Sequence, residues 1–189
     1  VKALLHICCA NCAVFPLDVL KKRGIDVTGF WYNPNIHPLT EYALRLDAVK
    51  QLVSQNPVEI LYDNYYGLAD FIEIAGLKGK DRCAACYKMR LTQTAQKAKE
   101  LGYDAFSTTL LYSIYQKYET IVDTASELAN RYSIEFYEED FRKGWHDGIA
   151  MSKKLSLYRQ KYCGCIYSEM ERYAGKMQKS IAGFHIAKC

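Results

Sequence analysis

Between residues 2 and 137 the apolar positions switch repeatedly between strand-like runs and helical stripes. Residues 2–8, Lys-Ala-Leu-Leu-His-Ile-Cys, are almost unbroken in their apolar character and predict a short buried strand. An amphipathic helix is expected over about 12–23, with Gly24 placed to end it. Val27, Phe30 and Trp31 mark a second strand near 26–32. Pro38 then opens a helix whose stripe is Leu39, Tyr42, Leu46, Val49 and Val53. Pro57 lies beyond that helix, and 58–62 predict a third strand. Leu91, Ala95, Ala98 and Leu101 predict a helix over 87–101, closed by Gly102. A fourth strand near 104–110, a helix near 116–132 and a last strand near 134–137 complete the series.

Strand alternating with helix predicts the α/β class, a doubly wound and mostly parallel sheet. No Gly-, Ser- or Pro-rich linker and no internal repeat divides the chain. One domain is therefore expected over 1–189, with about 141–189 as an appended C-terminal helical segment. Sheets of this kind bind ligands beyond the carboxyl ends of their strands, where the strand order reverses. Cys8, Cys9 and Cys12 end strand one, Asn33 to His37 follow strand two, and Thr108-Thr109 ends strand four. All three fall on one edge.

Composition changes this picture mainly through cysteine. Of eight Cys, seven fall in three tight groups: Cys8, Cys9 and Cys12; Cys83 and Cys86; Cys163 and Cys165. Cys189 stands alone. A chain long enough to bury its own core does not need disulfide staples, so such groups point to metal or redox chemistry in a reducing compartment. No apolar run approaches the ~18–20 residues of a membrane span, and no charged start followed by an apolar core suggests a signal peptide. A cytoplasmic protein without a membrane partner is expected. The net charge of +4 permits an acidic partner without demanding one.

Seven clustered thiols exceed one tetrahedral site. A structural zinc or a 4Fe–4S cluster takes four ligands, and the remaining three suit an open, catalytic metal. Two other readings stand beside this: a zinc-stabilised RNA-binding module, and a dithiol oxidoreductase using Cys9 and Cys12 at a helix start. An ATP-using enzyme of the same topology needs a glycine-rich phosphate loop after strand one, and residues 6–13 contain no glycine.

Several stretches occur in a recognisable order. They are His-Ile-Cys-Cys-Ala-Asn-Cys-Ala at 6–13, Tyr-Asn-Pro-Asn-Ile-His-Pro at 32–38, and Arg-Cys-Ala-Ala-Cys-Tyr at 82–87. Phe-Ser-Thr-Thr-Leu-Leu at 106–111, Asp-Phe-Arg at 140–142 and Tyr-Arg-Gln-Lys-Tyr-Cys-Gly-Cys-Ile-Tyr-Ser at 158–168 follow. Over about residues 4–170 the chain resembles the cobalamin-independent epoxyqueuosine reductase family, the QueH type. That resemblance implies an adenine-nucleotide α-hydrolase-like architecture and an iron–sulfur protein with an additional mononuclear iron. It implies reduction of the epoxide of epoxyqueuosine, in the anticodon of tRNA, to queuosine, with an external low-potential electron donor. Beside the resemblance, Cys9, Cys83, Cys86 and Cys165 are assigned to the cluster, and Cys8, Cys12 and Cys163 to the iron. Some family members carry Asp where this chain has Cys12; both side chains bind iron.

Other residues are candidates by position. Asn33, Asn35, Glu41, Arg45, Thr108, Thr109, Tyr158, Arg159 and Gln160 are expected to contact substrate, and His37 and Asp140 to act in catalysis. Cationic charge concentrates in 78–90 (Lys78, Lys80, Arg82, Lys88, Arg90) and in 153–161 (Lys153, Lys154, Arg159, Lys161), both flanking cysteine pairs. Lys88 and Arg90 are expected as RNA contacts. Trp31, Tyr32, Tyr87, Tyr112, Tyr158 and Tyr162 are the aromatics near the motifs, one or two of which could stack on a splayed base.

Overall fold

A computed structural model describes residues 1–75 and 81–186. Lys78, Lys80 and Cys189 lie outside the described residues. Five strands, β1 (Lys2–His6), β2 (Asp26–Trp31), β3 (Ile60–Tyr62), β4 (Ala105–Thr108) and β5 (Glu135–Phe136), form one sheet in the order β3-β2-β1-β4-β5, every pairing parallel. The expected doubly wound α/β fold is the one observed. β1 lies at the centre, and Ala3 through His6 are buried, as a strand covered on both faces requires. Each buried Leu of this strand contributes about 1.5–3 kcal/mol.

The chain steps outward from β1 to β3, then crosses back to β4 on the other side. Right-handed crossovers then place the helices of the two halves on opposite faces. Helix α1 (Ala10–Lys22) packs on α2 (Leu39–Gln55), while α4 (Arg82–Glu100) packs on α5 (Tyr118–Tyr132) and against β1 and β4. The reversal point therefore lies between β1 and β4.

Four departures from the sequence expectation bear on the site. First, α3 (Leu68–Ala75) occupies a stretch where no element is expected, and it seats Phe71 and Ala75 against Cys86. Second, α4 begins at Arg82 rather than near 87, so Cys83 and Cys86 sit in its first turns, one turn apart. Third, β4 stops at Thr108 because its hydroxyl accepts from Leu110 N at 3.1 Å and turns the chain into a 3₁₀ turn, Thr109–Tyr112. Fourth, Leu39 and Leu101 of the expected stripes are exposed, and the buried face of α2 carries Glu41 and Arg45 beside Tyr42, Ala48, Val49 and Leu52.

Beyond β5, a 3₁₀ turn (Phe141–Gly144) leads into α6 (Trp145–Lys154) and then α7 (Ile166–Ser180). Helix α6 packs on α1 and belongs to the helical layer, whereas α7 buries no residue. No helix among the described residues is long and apolar enough to cross a membrane.

Candidate functional site

Buried threonines and serines occur in several elements, but the buried His, Asn, Glu and Arg side chains gather in one place. His6, Asn33, Asn35, His37, Glu41, Arg45, Arg90, Thr108 and Thr109 all lie at or beside the carboxyl edge of the sheet. Buried polar groups are costly unless partnered, so their concentration at one edge marks where structure serves something other than stability.

At the reversal point, His6 Nδ1 pairs with the Thr108 hydroxyl at 3.0 Å, and Cys8 N donates to Thr109 Oγ1 at 2.9 Å. The Thr109 hydroxyl in turn donates to Cys8 Sγ at 3.2 Å. Burial, and secondarily the nearby Arg90, holds His6 down to about 3, so it stays neutral. Chain direction then turns into α1, whose N-cap is Cys9. Its sulfur accepts from Cys12 N at 3.3 Å and from Gln160 Nε2 at 2.9 Å. The sulfurs of Cys8, Cys9 and Cys12 lie within 4.8 Å of one another.

The trio shares its protons unevenly. Hydrogen bonds from Cys12 and Cys8 hold Cys9 well below the ordinary thiol range, aided by the position at a helix N-terminus. Cys12 is pushed well up by the hydrogen bonds it donates to Cys8 and Cys9, and then by burial. Cys8 also goes up: a hydrogen bond from Cys12 favours its thiolate, but its own bond to Cys9 and its burial outweigh that. Three sulfurs at this spacing, one of them already thiolate-favouring, fit a metal bound at ~2.3 Å per thiolate. The Cys donor set suits iron, an iron–sulfur cluster or zinc.

The other two groups are carried to the same edge. Arg45 is the fastener: its Nη1 and Nη2 donate to the carbonyls of Cys163 at 2.7 Å and Tyr162 at 2.9 Å, while its Nε donates to Glu41 at 2.7 Å. Glu41 also accepts from the Tyr158 hydroxyl at 2.6 Å. Gly164, at φ 146°, occupies backbone space closed to other residues, and a Cβ there would meet Arg45 Nη1 at 3.1 Å. Gln116 links Cys163 to Tyr87, donating to the sulfur at 3.3 Å and accepting from the phenol at 2.7 Å. Cys165 packs beside Cys86 against Phe71 and Ala75. Burial, and then the neighbouring Arg90 and Cys163, set Cys86, which is pushed up to about 12; burial and then Cys163 likewise raise Cys83.

The remaining candidates divide between this edge and elsewhere. His37 is buried, pushed down to about 4 by that burial, and uses both ring nitrogens: Nδ1 accepts from Ile166 N at 3.4 Å and Nε2 donates to the Pro34 carbonyl at 3.0 Å. Tyr162 donates to the His37 carbonyl at 2.7 Å. Asn33 donates to the Ile7 carbonyl at 2.8 Å, and the side-chain oxygens of Asn11, Asn33 and Asn35 are buried without a partner. Asn11 ties α1 to Tyr158 and Gln160, each at 2.7 Å, and Arg159 is exposed beside them. Asp140 is bound to Arg142 at 2.8 Å through each carboxylate oxygen and caps the 3₁₀ turn. That pairing, above all the hydrogen bond from Arg142, holds its carboxyl below the usual range.

Lys88 is exposed and paired with Glu127 at 3.0 Å, whereas Arg90 is only 2% exposed and does not belong to a surface patch. Of the six candidate aromatics, Trp31, Tyr32, Tyr87 and Tyr112 are buried, which leaves Tyr158 and Tyr162 with accessible surface. Sequence reading overlooks Gln116, Asn11 and Tyr115. Tyr115 is 81% exposed on the loop before α5, edge-on to Trp145 at 5.6 Å, and adjacent in sequence to Gln116. An aromatic following the Thr-Thr motif was the available signal.

A parallel doubly wound sheet, with a cysteine triad at its reversal point and two further cysteine pairs drawn to the same edge, defines a thiol-centred α/β enzyme. The family model described as "Epoxyqueuosine reductase QueH" matches residues 3–171. The chain belongs to that family. Relatives named epoxyqueuosine reductase QueH include one from Dehalococcoides mccartyi, 40% identical over 91% of this chain and 94% of the relative. Another, from Thermotoga maritima, is 33% identical over 89% and 91%, and one from Streptococcus pyogenes serotype M1 is 36% identical over 93% and 71%. The family match ends within α7, so the second half of that helix lies outside it.

Proposed function

We propose that this chain is an epoxyqueuosine reductase, removing the epoxide oxygen of epoxyqueuosine in tRNA to give queuosine. The balance is two electrons and two protons consumed, one carbon–carbon double bond formed and one water released. The observation that carries the reading is the cysteine triad at the reversal point, in a chain of this family.

A 4Fe–4S cluster and a mononuclear iron, held between them by the seven clustered thiols, would supply single electrons from an external donor and an open position for an oxygen ligand. The division into four and three ligands is retained from the sequence. With Cys9 on the cluster and Cys8 and Cys12 on the iron, the two centres would adjoin at this triad, whose sulfurs lie within 4.8 Å of one another. Cys83, Cys86, Cys163 and Cys165 then complete the set. Thr109 and Gln160 steady the sulfurs of Cys8 and Cys9, and Gln116 that of Cys163.

Substrate recognition is proposed for the unpartnered carboxamide oxygens of Asn33 and Asn35, which can accept from a polar ligand. Tyr158 and Arg159 border the same edge, and Lys88, Lys153, Lys154 and Lys161 are exposed cations suited to phosphate contacts. His37 and Asp140 have their polar atoms committed to the backbone and to Arg142, which favours positioning rather than proton transfer for both.

The test is anaerobic purification, metal and acid-labile sulfide analysis, and incubation with epoxyqueuosine-containing tRNA and a low-potential reductant. Iron with sulfide and conversion to queuosine are expected. Stoichiometric zinc without sulfide, and no conversion after iron reconstitution, would overturn the reading in favour of a zinc-stabilised RNA-binding module.

A further inference from the structure

Two guanidinium groups are buried at the cysteine edge, and they differ in how their charge is met. Arg45 is neutralised by Glu41 at 2.7 Å. Arg90, on α4 one turn beyond Cys86, is 2% exposed and forms no salt bridge with any described carboxylate. Its Nε donates to the Cys86 carbonyl at a long 3.4 Å, and its Nη2 is buried without any hydrogen-bond partner. The face of Tyr87, 5.9 Å away, is the other nearby feature. Arginine cannot shed its proton, so the charge remains. A buried cation with one long hydrogen bond and no anion is strongly unfavourable unless something negative is supplied.

The groups placed to supply it are sulfurs. Arg90 sits one turn beyond Cys86, which packs beside Cys165, and the Tyr87 ring it faces is tied through Gln116 to the Cys163 sulfur. His6, fully buried at the same edge, contributes no negative charge. A metal bound by thiols requires them deprotonated, and the assembled site then gathers several negative charges around this one guanidinium. We propose that Arg90 is the built-in counter-charge of the cysteine site, a positioning residue that offsets the negative charge of the metal-bound thiolates beside it rather than an RNA contact. The proposal rests on the metal reading above. It assigns a specific cost and benefit to one residue: Arg90 is a burden to the metal-free protein and an asset to the metal-bound one.

That opposition gives the test. Wild type, Arg90→Met and Arg90→Lys are prepared metal-free under anaerobic conditions, and each is titrated with Co²⁺ while the thiolate-to-cobalt absorption is followed. Thermal midpoints are measured with and without metal, and reduction midpoints are measured after iron and sulfide reconstitution. Arg90→Met is expected to melt at or above the wild-type temperature when metal-free, since a similar-sized apolar group replaces an unpaired charge. It is expected to bind Co²⁺ about 10–100-fold more weakly, as losses of supporting groups around metal ligands do. Its reduction midpoint is expected to move to more negative values, with Arg90→Lys intermediate on both measures.

Equal Co²⁺ affinity and an unchanged reduction midpoint in Arg90→Met would overturn the proposal and make Arg90 a packing residue. So would an equal loss of stability with and without metal. If Arg90→Met does not fold, Arg90→Gln, polar but uncharged, decides: wild-type Co²⁺ affinity and an unchanged reduction midpoint there also overturn it. Failure of wild type itself to bind Co²⁺ or iron would instead defeat the metal reading on which the proposal stands.

Discussion

Glu41 and Arg45 show how much a single pair of side chains can decide at this edge. Four residues apart on a helix, they read in sequence as an ordinary surface ion pair worth a few tenths of a kcal/mol. In the fold both are buried, at 8% and 2% side-chain exposure, and the arginine's two remaining donors hold the backbone of the Cys163 loop. Removing one partner of a buried pair strands the other charge, at a cost of about 3–5 kcal/mol. Glu41→Gln should therefore lower the thermal midpoint far more than any exposed pair, such as Lys50–Asp47, would. Gly164→Ala is the companion change: it forces an L side chain into φ 146° and its Cβ against Arg45. It should reduce bound iron while leaving far-ultraviolet circular dichroism unchanged, because strain there falls on the cysteine loop and not on the sheet. Full iron retention in Gly164→Ala would show that Cys163 and Cys165 need no such fastening.

The elements place these residues by where they begin and end. β1 stops one residue before Ile7, β4 stops at a threonine that caps the following 3₁₀ turn, and α1 starts on a cysteine whose sulfur serves as its cap. Each ending delivers a polar group to the reversal point. The loop between β4 and α5 is the most exposed of these connections. Ile114 is half exposed and Tyr115 almost fully so, beside the Gln116 that touches Cys163. A flat, accessible aromatic next to the site suits stacking on an unpaired base, worth about 1–3 kcal/mol. Tyr115→Ala should weaken tRNA binding by roughly ten- to a hundredfold with no change in thermal midpoint, since its ring meets only the edge of Trp145. Unchanged tRNA affinity would return Tyr115 to a surface residue. The strand and helix series was legible because period-2 and period-3.6 patterns are local. The early start of α4, behind Asp81 at its N-cap position, and the eight-residue α3 were not, because the turns they add are too short to display a 3.6-residue period.

At the scale of the whole molecule, the cysteine edge forms one margin of the hydrophobic core, joined to it through Cys9 and Cys12, while most of the core lies away from it. The core centres on β1, β2 and β4 with Leu4, Leu5, Trp31, Leu91 and Phe106, none of which needs a metal to pack. Stripping metal should leave the sheet's amides protected from hydrogen exchange, while the Cys163–Cys165 loop and the start of α4 exchange faster. Global loss of protection on metal removal would mean that the thiolate site, and not the core, holds the fold. The sequence by itself determined the α/β alternation, the edge on which the site lies and the three cysteine groups, all of which are local patterns plus one topological rule. Tertiary structure alone decided that Glu41, Arg45 and Arg90 are buried. It also decided that Gln116 and Gln160 reach sulfurs 47 and 151 residues away. A charged side chain reads as solvent-facing until its partners are known, and here the partners are carbonyls and thiols that only folding brings within hydrogen-bond range.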